Sequence, residues 1–289
     1  MLENGADKDS SQRSSEFSHL QPSEYESIRH FLEDSCGLIL GPSKQYLVKS
    51  RLNKVIKNHQ FKSYADLIKH VHSDSTVRFD VIDAMTTHET FWFRDVHPFD
   101  YLKKTVFPTL SSVSSSGVIR IWCAACSSGQ EPYTISMVTE EARLTGLLPK
   151  NWEVEILATD ISPAIIGTAS KGEYEGLAVD RGLTAERKQK FFDQHDQLWK
   201  VKDHIRKRVD FKTFNLHQNY RGLGTFDIIM CRNVLIYFSA EKKQEILERI
   251  HSVMAPHRFL FLGASEALNG LPHFFKLNRY NPGIVYIAR

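Results

Sequence analysis

The sequence predicts an α/β fold, a doubly wound and mostly parallel sheet, preceded by a small all-helical domain. Two observations carry this. From Val118 onward, apolar strand-like runs alternate with amphipathic helical segments, the order that builds βαβ units. Before that point, from Gln21 to His97, apolar residues recur at helical spacing and no strand pattern intervenes. The chain has 289 residues, 42% of them hydrophobic, enough for one domain of about 200 residues and a smaller partner.

Taken in order, residues 1–20 are polar and rich in Ser, Asp and Glu, and a disordered tail is expected there. The helical domain spans 21–97. Pro22-Ser23-Glu24 reads as a helix start with Ser23 as N-cap, followed by Tyr25, Ile28, Phe31 and Leu32 at helical spacing. A second helix, near 43–59, places Val48, Leu52, Val55 and Ile56 on one face, with Lys44, Arg51, Lys54 and Lys57 along a neighbouring stripe. Helices near 64–72 and 77–85 complete the domain. Residues 98–117 form a linker helix and a connector that ends in SSVSSSG.

The second domain occupies 118–289. Strands are expected at 118–123, 153–158, 226–231, 258–262 and 284–288, and helices at 132–145, 163–170 and 241–254. The run LWKV, at 198–201, reads as a further possible strand.

Composition excludes several classes. No apolar run approaches the roughly 20 residues that cross a bilayer, and MLENGADKDSSQRSSEF offers no apolar segment for a signal peptide. A cytoplasmic protein without membrane insertion is expected. The cysteines, Cys36, Cys123, Cys126 and Cys231, suggest buried free thiols, because Cys123-x-x-Cys126 lacks the second Cys or His pair of a structural zinc site. No metal is expected. A net charge of +3 does not by itself argue for nucleic acid.

In doubly wound sheets the ligand lies at the carboxyl ends of the strands, and the polar residues gather there. The first strand runs into Ala124-Ala125-Cys126-Ser127-Ser128-Gly129-Gln130-Glu131, the second ends in Asp160, and the third in Arg232-Asn233. Small residues at 124–129 admit a close ligand, but the G-x-G-x-x-G spacing of a dinucleotide site is missing. Glu131 also places an anion where a pyrophosphate would sit on the helix N-terminus. A cationic nucleoside fits better. S-adenosylmethionine carries a sulfonium and an ammonium and no phosphate, with Asp160 placed to accept from its ribose hydroxyls.

The strings TTHETFWFRD (86–95), IWCAACSSGQEPYT (121–134), ATDIS (158–162), FNL (214–216), FDIIMCRNVLIYF (226–238) and GASEAL (263–268) resemble, in that order, the motifs of the CheR family of chemotaxis receptor glutamate methyltransferases. The resemblance covers residues 21–289, and it implies a possible small β-subdomain inserted in the cofactor domain, for which 197–212, containing LWKV and preceded by RGL at 181–183, is the candidate. It implies a Rossmann-like methyltransferase sheet, S-adenosylmethionine as cofactor with S-adenosylhomocysteine as product, and the cytoplasmic helices of methyl-accepting chemotaxis receptors as partners. It further implies His88, Thr90, Arg94, Glu131, Asp160, Asn215, Leu216, Arg232 and Asn233 around the cofactor, and Arg94 and Tyr237 at the methyl-transfer site. His88 stands where enteric members carry Asn, so altered contacts with retained binding are expected there. Under this resemblance Lys44, Arg51, Lys54 and Lys57 offer a basic face to acidic receptor helices, and the protein is a monomer recruited to membrane receptor arrays.

Three other classes are weighed against this one. A nucleic-acid methyltransferase acting on base amino groups uses an Asn/Asp-Pro-Pro-Tyr/Phe element, and the chain has Arg232-Asn233-Val234-Leu235 instead. An NAD-dependent oxidoreductase is disfavoured by the missing glycines. A non-catalytic relative that binds cofactor or receptor as a sensor or scaffold is opposed by intact Arg94 and Tyr237.

Overall fold

The computed structural model describes residues 19–268 and 271–289. The expected tail lies outside the described residues up to position 18, and Leu20 is already buried. The chain forms two compact units, one containing the described residues up to Asp34 together with Leu40–Thr86, the other Ser35–Ile39 and Thr87–Arg289.

The first unit is all-helical: α1 (Pro22–Cys36, whose last residues belong to the second unit), α2 (Gln45–Asn58), α3 (Tyr64–Val71) and α4 (Ser75–Met85). Ser23 lies inside α1 rather than capping it. Glu24 reaches back to accept from the Gln21 amide at 2.8 Å, one half of a capping box, while Pro22 occupies the first turn where no amide is needed. Ser63 caps α3 by accepting from the Asp66 amide, and Asp74 caps α4 by accepting from Thr76 and Val77. Val48, Leu52, Val55 and Ile56 are buried as their spacing predicts. The basic stripe is divided. Lys44, Lys54 and Lys57 are exposed, but Arg51 donates to the carbonyls of Met85 and Thr86 at 2.8 and 2.9 Å. It thereby satisfies the open C-terminus of α4, which removes it from a docking face.

The second unit begins at Thr87, not after His97, because Trp92 and Phe93 are buried in its main core. It carries β1 (Val118–Ala124), β2 (Glu153–Asp160), β3 (Glu173–Glu175), β4 (Phe192–His195), β5 (Leu198–Val201), β6 (Val209–Thr213), β7 (Phe226–Cys231), β8 (Met254–Leu262), β9 (Phe275–Arg279) and β10 (Ile284–Ala288). Seven strands form one sheet in the order β6-β2-β1-β7-β8-β10-β9. The pairs from β6 to β8 are parallel, and β10 runs antiparallel to both its neighbours. Side chains alternate between two cores. Ile119, Ile121 and Cys123 of β1 enter one, Trp122 and Ala124 the other, so the sheet is covered on both faces.

The insertion is larger and earlier than expected. LWKV is β5, the central strand of a small sheet β3-β5-β4 within 173–201. The stretch 209–213, assigned by sequence to the same insertion, pairs with β2 as the edge of the main sheet.

Replacing Arg51 by Gln is expected to destabilise the protein by about 1–3 kcal/mol, since the α4 carbonyls lose a charged donor. Urea unfolding of the variant tests this against Lys54→Gln, which is expected to unfold like the wild type.

Candidate active site

The strand order reverses at β1, with β2 on one side and β7 on the other, and such a reversal opens a crevice at the carboxyl ends. Every strand-end residue expected from sequence falls there. The loop after β1 is held by its neighbours: the Cys126 amide donates to the Thr159 carbonyl at 2.8 Å, the Ser127 amide to Asp160 Oδ2 at 2.8 Å, and the Ser127 hydroxyl to the His88 carbonyl at 2.8 Å. Ala125 and Ser127 adopt φ of 59° and 51°, a strained choice for residues with a Cβ.

Asp160 is 5% exposed and also accepts from the Ser162 amide at 3.1 Å. Burial raises its pKa above the usual carboxylate range, while the Ser162 and Ser127 amides and the nearby His88 charge pull it back. An ionised carboxylate has about four lone-pair positions, so the amides of Ser127, Ser162 and Ile161 leave room for a further donor such as a ribose hydroxyl.

Glu131 opens the helix Gln130–Leu144 and faces Arg232 rather than open space. Arg232 Nη1 donates to Glu131 Oε2 at 2.5 Å, and Nη2 donates to the Arg94 carbonyl at 2.9 Å and to Asp95 Oδ2 at 2.7 Å. The Arg232 side chain is 1% exposed. Burial alone would lower its pKa, yet Glu131 and Asp95 raise it. The sequence places Arg232 among the cofactor contacts, whereas its guanidinium is committed to protein partners. Glu131 also accepts from the Cys123 thiol at 3.0 Å. Burial, reinforced by the Glu131 charge, pushes that thiol well above its ordinary pKa, so it is an inert donor. All four cysteines are buried, and none forms a disulfide among the described residues.

Asn233 has φ 59°, a conformation Asn tolerates. Its amide donates to Glu266 Oε2 at 2.8 Å, and Glu266 also accepts from the Gly263 and Ile236 amides. A Cβ at Gly263 would lie 2.7 Å from that carboxylate and 2.8 Å from the Asn233 amide nitrogen, so only glycine permits the bracket. Glu266 was missed as a site residue, although it lies inside the GASEAL string. Asn215 accepts from the His217 amide and donates to the Ser35 carbonyl at 2.8 Å, and Leu216 is buried beside it. Thr90, Arg94 and Tyr237 are half-buried. Arg94 spends one hydrogen bond on the Glu89 carbonyl at 3.2 Å and lies 5.4 Å from the Phe91 ring centroid. The Tyr237 hydroxyl makes no hydrogen bond among the described residues, while its carbonyl accepts from the Ile39 amide at 3.0 Å.

This donor set suits a cofactor with a nucleoside at one end and a charged amino acid at the other. Asp160 has acceptor capacity at the end of β2, Glu131 and Asp95 supply negative charge, and no glycine-rich turn is built for a pyrophosphate. A seven-stranded sheet with β10 reversed and this acid at the second strand end defines an S-adenosylmethionine-dependent methyltransferase. The chain belongs to the CheR methyltransferase family. Residues 23–86 match the model of the CheR methyltransferase all-alpha domain, and 88–284 match that of the CheR methyltransferase SAM-binding domain. It is 48% identical over 269 residues to the chemotaxis protein methyltransferase Cher2 of Pseudomonas putida, covering 92% of this chain and 98% of that one. It is also 48% identical to chemotaxis protein methyltransferase 1 of Pseudomonas aeruginosa, with the same coverage, and 46% identical to a chemotaxis protein methyltransferase of Vibrio parahaemolyticus, covering 91% and 96%.

Arg232→Ala is expected to cost about 3–5 kcal/mol, because it leaves Glu131 without its buried partner; denaturant unfolding measures it. Asp160 yields a second expectation with a definite sign. Its raised pKa means that the folded state holds the proton more tightly than the unfolded chain, so stability falls as pH rises from the ordinary carboxylate range through the raised value. The unfolding free energy of wild type minus that of Asp160→Asn is therefore expected to decline in paired urea titrations as the pH rises above the ordinary carboxylate value of about 4. A difference that grew with pH would contradict the burial account.

Proposed function

We propose that the protein methylates glutamate side-chain carboxylates on the cytoplasmic helices of methyl-accepting chemotaxis receptors, as a protein-glutamate O-methyltransferase. The observation that carries this reading is Arg94, a half-buried guanidinium in the site that spends a single hydrogen bond on the protein among the described residues. Its other donors can hold a carboxylate. The names of the relatives, chemotaxis protein methyltransferases, support the receptor as partner.

A glutamate carboxylate is already ionised near neutral pH, with an unperturbed pKa of about 4.3. No general base is required. S-adenosylmethionine, when bound, supplies an electrophilic methyl group on a positively charged sulfur. Asp160, through its remaining lone pairs, holds the nucleoside end, and Glu131 and Thr90 take the amino-acid end, with His88, Asn215, Leu216 and Asn233 completing the cofactor's surroundings. Arg94 aligns the acceptor carboxylate, and a grip short of full neutralisation preserves its nucleophilicity. Tyr237 positions the same region through its ring and uncommitted hydroxyl. Lys44, Lys54 and Lys57 present positive charge to acidic receptor segments. In this reading the protein acts as a monomer in the cytoplasm and is recruited to receptor arrays.

Transfer of labelled methyl from S-adenosylmethionine to a receptor cytoplasmic fragment tests the reading, because a carboxyl ester releases its label in mild alkali. Asp160→Ala and Glu131→Gln are expected to weaken cofactor affinity about 10- to 100-fold by calorimetry, the value of a charged hydrogen bond. Arg94→Ala is expected to bind cofactor normally and lose transfer. Alkali-stable label would overturn the glutamate assignment.

A further inference from the structure

The loop that carries Arg94 is gripped from one side by the segment leading into the small sheet. Arg181 pairs with Glu89 at 2.7 Å. The Trp92 amide donates to the Arg181 carbonyl at 3.2 Å, and the Trp92 indole N–H donates to the Ala178 carbonyl at 3.0 Å. A Cβ at Gly182, whose φ is +98°, would fall 2.1 Å from the Trp92 carbonyl oxygen, so the two backbones meet at a distance only glycine allows. One residue further along the loop, the Arg187 guanidinium lies 3.7 Å from the Phe93 ring centroid.

Arg187 is itself fixed. It donates to both carboxylate oxygens of Glu141, at 2.7 and 3.2 Å, and Lys103 donates to the same carboxylate at 2.8 Å. All three side chains are largely buried. Burial would raise the Glu141 pKa, but the hydrogen bonds from Arg187 and Lys103 hold it below the usual range. Phe93 needs such support. Its φ is 51°, a backbone state that persists only when the surroundings over-determine it. The other support is the Thr134 hydroxyl, which accepts from the Phe93 amide at 3.3 Å.

We propose that Arg187 is a positioning residue for methyl transfer: stacked on Phe93 and fixed by Glu141, it sets the backbone from which Arg94 projects. The proposal rests on the reading that Arg94 aligns the acceptor carboxylate. Arginine is required for geometric reasons, since only a planar guanidinium can stack on the ring and bind Glu141 in bidentate fashion at once. Among the described residues Arg187 makes no hydrogen bond or ion pair with Arg94 or with a strand-end residue of the cofactor crevice, so its removal is expected to act on turnover and leave cofactor affinity alone.

The test compares wild type, Arg187→Ala, Arg187→Lys, Phe93→Leu and the double variant Phe93→Leu/Arg187→Ala in methyl transfer to a receptor fragment, with cofactor affinity by calorimetry. Arg187→Ala is expected to lower kcat about 10- to 100-fold, the scale of a displacement near 1 Å, with cofactor Kd within about twofold of wild type. Arg187→Lys keeps the charge and is expected to recover only part of that loss. Because Arg187 acts through Phe93, the double variant is expected to be no slower than Phe93→Leu alone. Wild-type kcat in Arg187→Ala, full recovery by Lys, or additive losses in the double variant would each overturn the proposal. Arg94→Ala in the same assay separates the two readings. If it still turns over, the role of Arg94 fails and the proposal falls with it; if it is inactive while Arg187→Ala is not, the positioning role alone fails.

Discussion

The site depends on one buried cation. Arg232 leaves the end of β7 and joins Glu131 at the start of the helix after β1 to Asp95 and the Arg94 carbonyl in the loop before the helical segment 97–113. Burying a guanidinium costs several kcal/mol unless its donors are matched. Two carboxylates and a carbonyl supply that match, and the Phe99 ring lies 5.4 Å from the guanidinium carbon. Among the described residues Arg232 Nε has no hydrogen-bond partner, as is also true of Arg143 Nε and Arg206 Nε.

The backbone around it is correspondingly strained. Of the nine described non-glycine residues with positive φ, six lie at the site: Phe93, Asp95, Val96, Ala125, Ser127 and Asn233. Each costs on the order of 1–3 kcal/mol, and most have an identifiable counterweight. Asp160 and the His88 carbonyl hold Ser127, Glu266 holds Asn233, Arg232 holds Asp95, and Thr134 with Arg187 holds Phe93. The side chains that shape the crevice are therefore also those that keep its loops in unfavourable conformations. Local strain and site geometry are one set of interactions viewed from two sides.

What the sequence revealed follows from the range of each signal. β1, β7 and most of β2 are buried runs, and their positions were legible from hydrophobicity alone. β6 and β9 are the sheet's edges, VDFKT and FKLNR, with exposed polar residues along much of their length. Edge strands carry such residues to discourage pairing, which erased the pattern that would have announced them. The site residues were legible as strings, but their partners were not. Glu131 and Arg232 are 101 positions apart, and Arg51 meets Met85 across 34. Neither spacing has a local signature. Glu131 reads in the sequence as an anion facing a cationic ligand, and the fold adds a protein cation beside it.

The pairing of Glu131 with Arg232 bears on how the site handles charge. A methyltransferase acting on a carboxylate must hold a cationic cofactor beside an anionic acceptor, so it needs acids and a base within a small volume. In the proposed reading Glu131 serves the cofactor and Arg94 the acceptor, and a direct pair between them would consume both functions. Arg232 stands between them, bonded to the Glu131 carboxylate and to the Arg94 carbonyl. It saturates part of the Glu131 charge and fixes the backbone of Arg94 without touching its guanidinium. In the proposed reading, then, a third charge, buried and unavailable to either ligand, keeps the acidic cofactor side apart from the basic acceptor side.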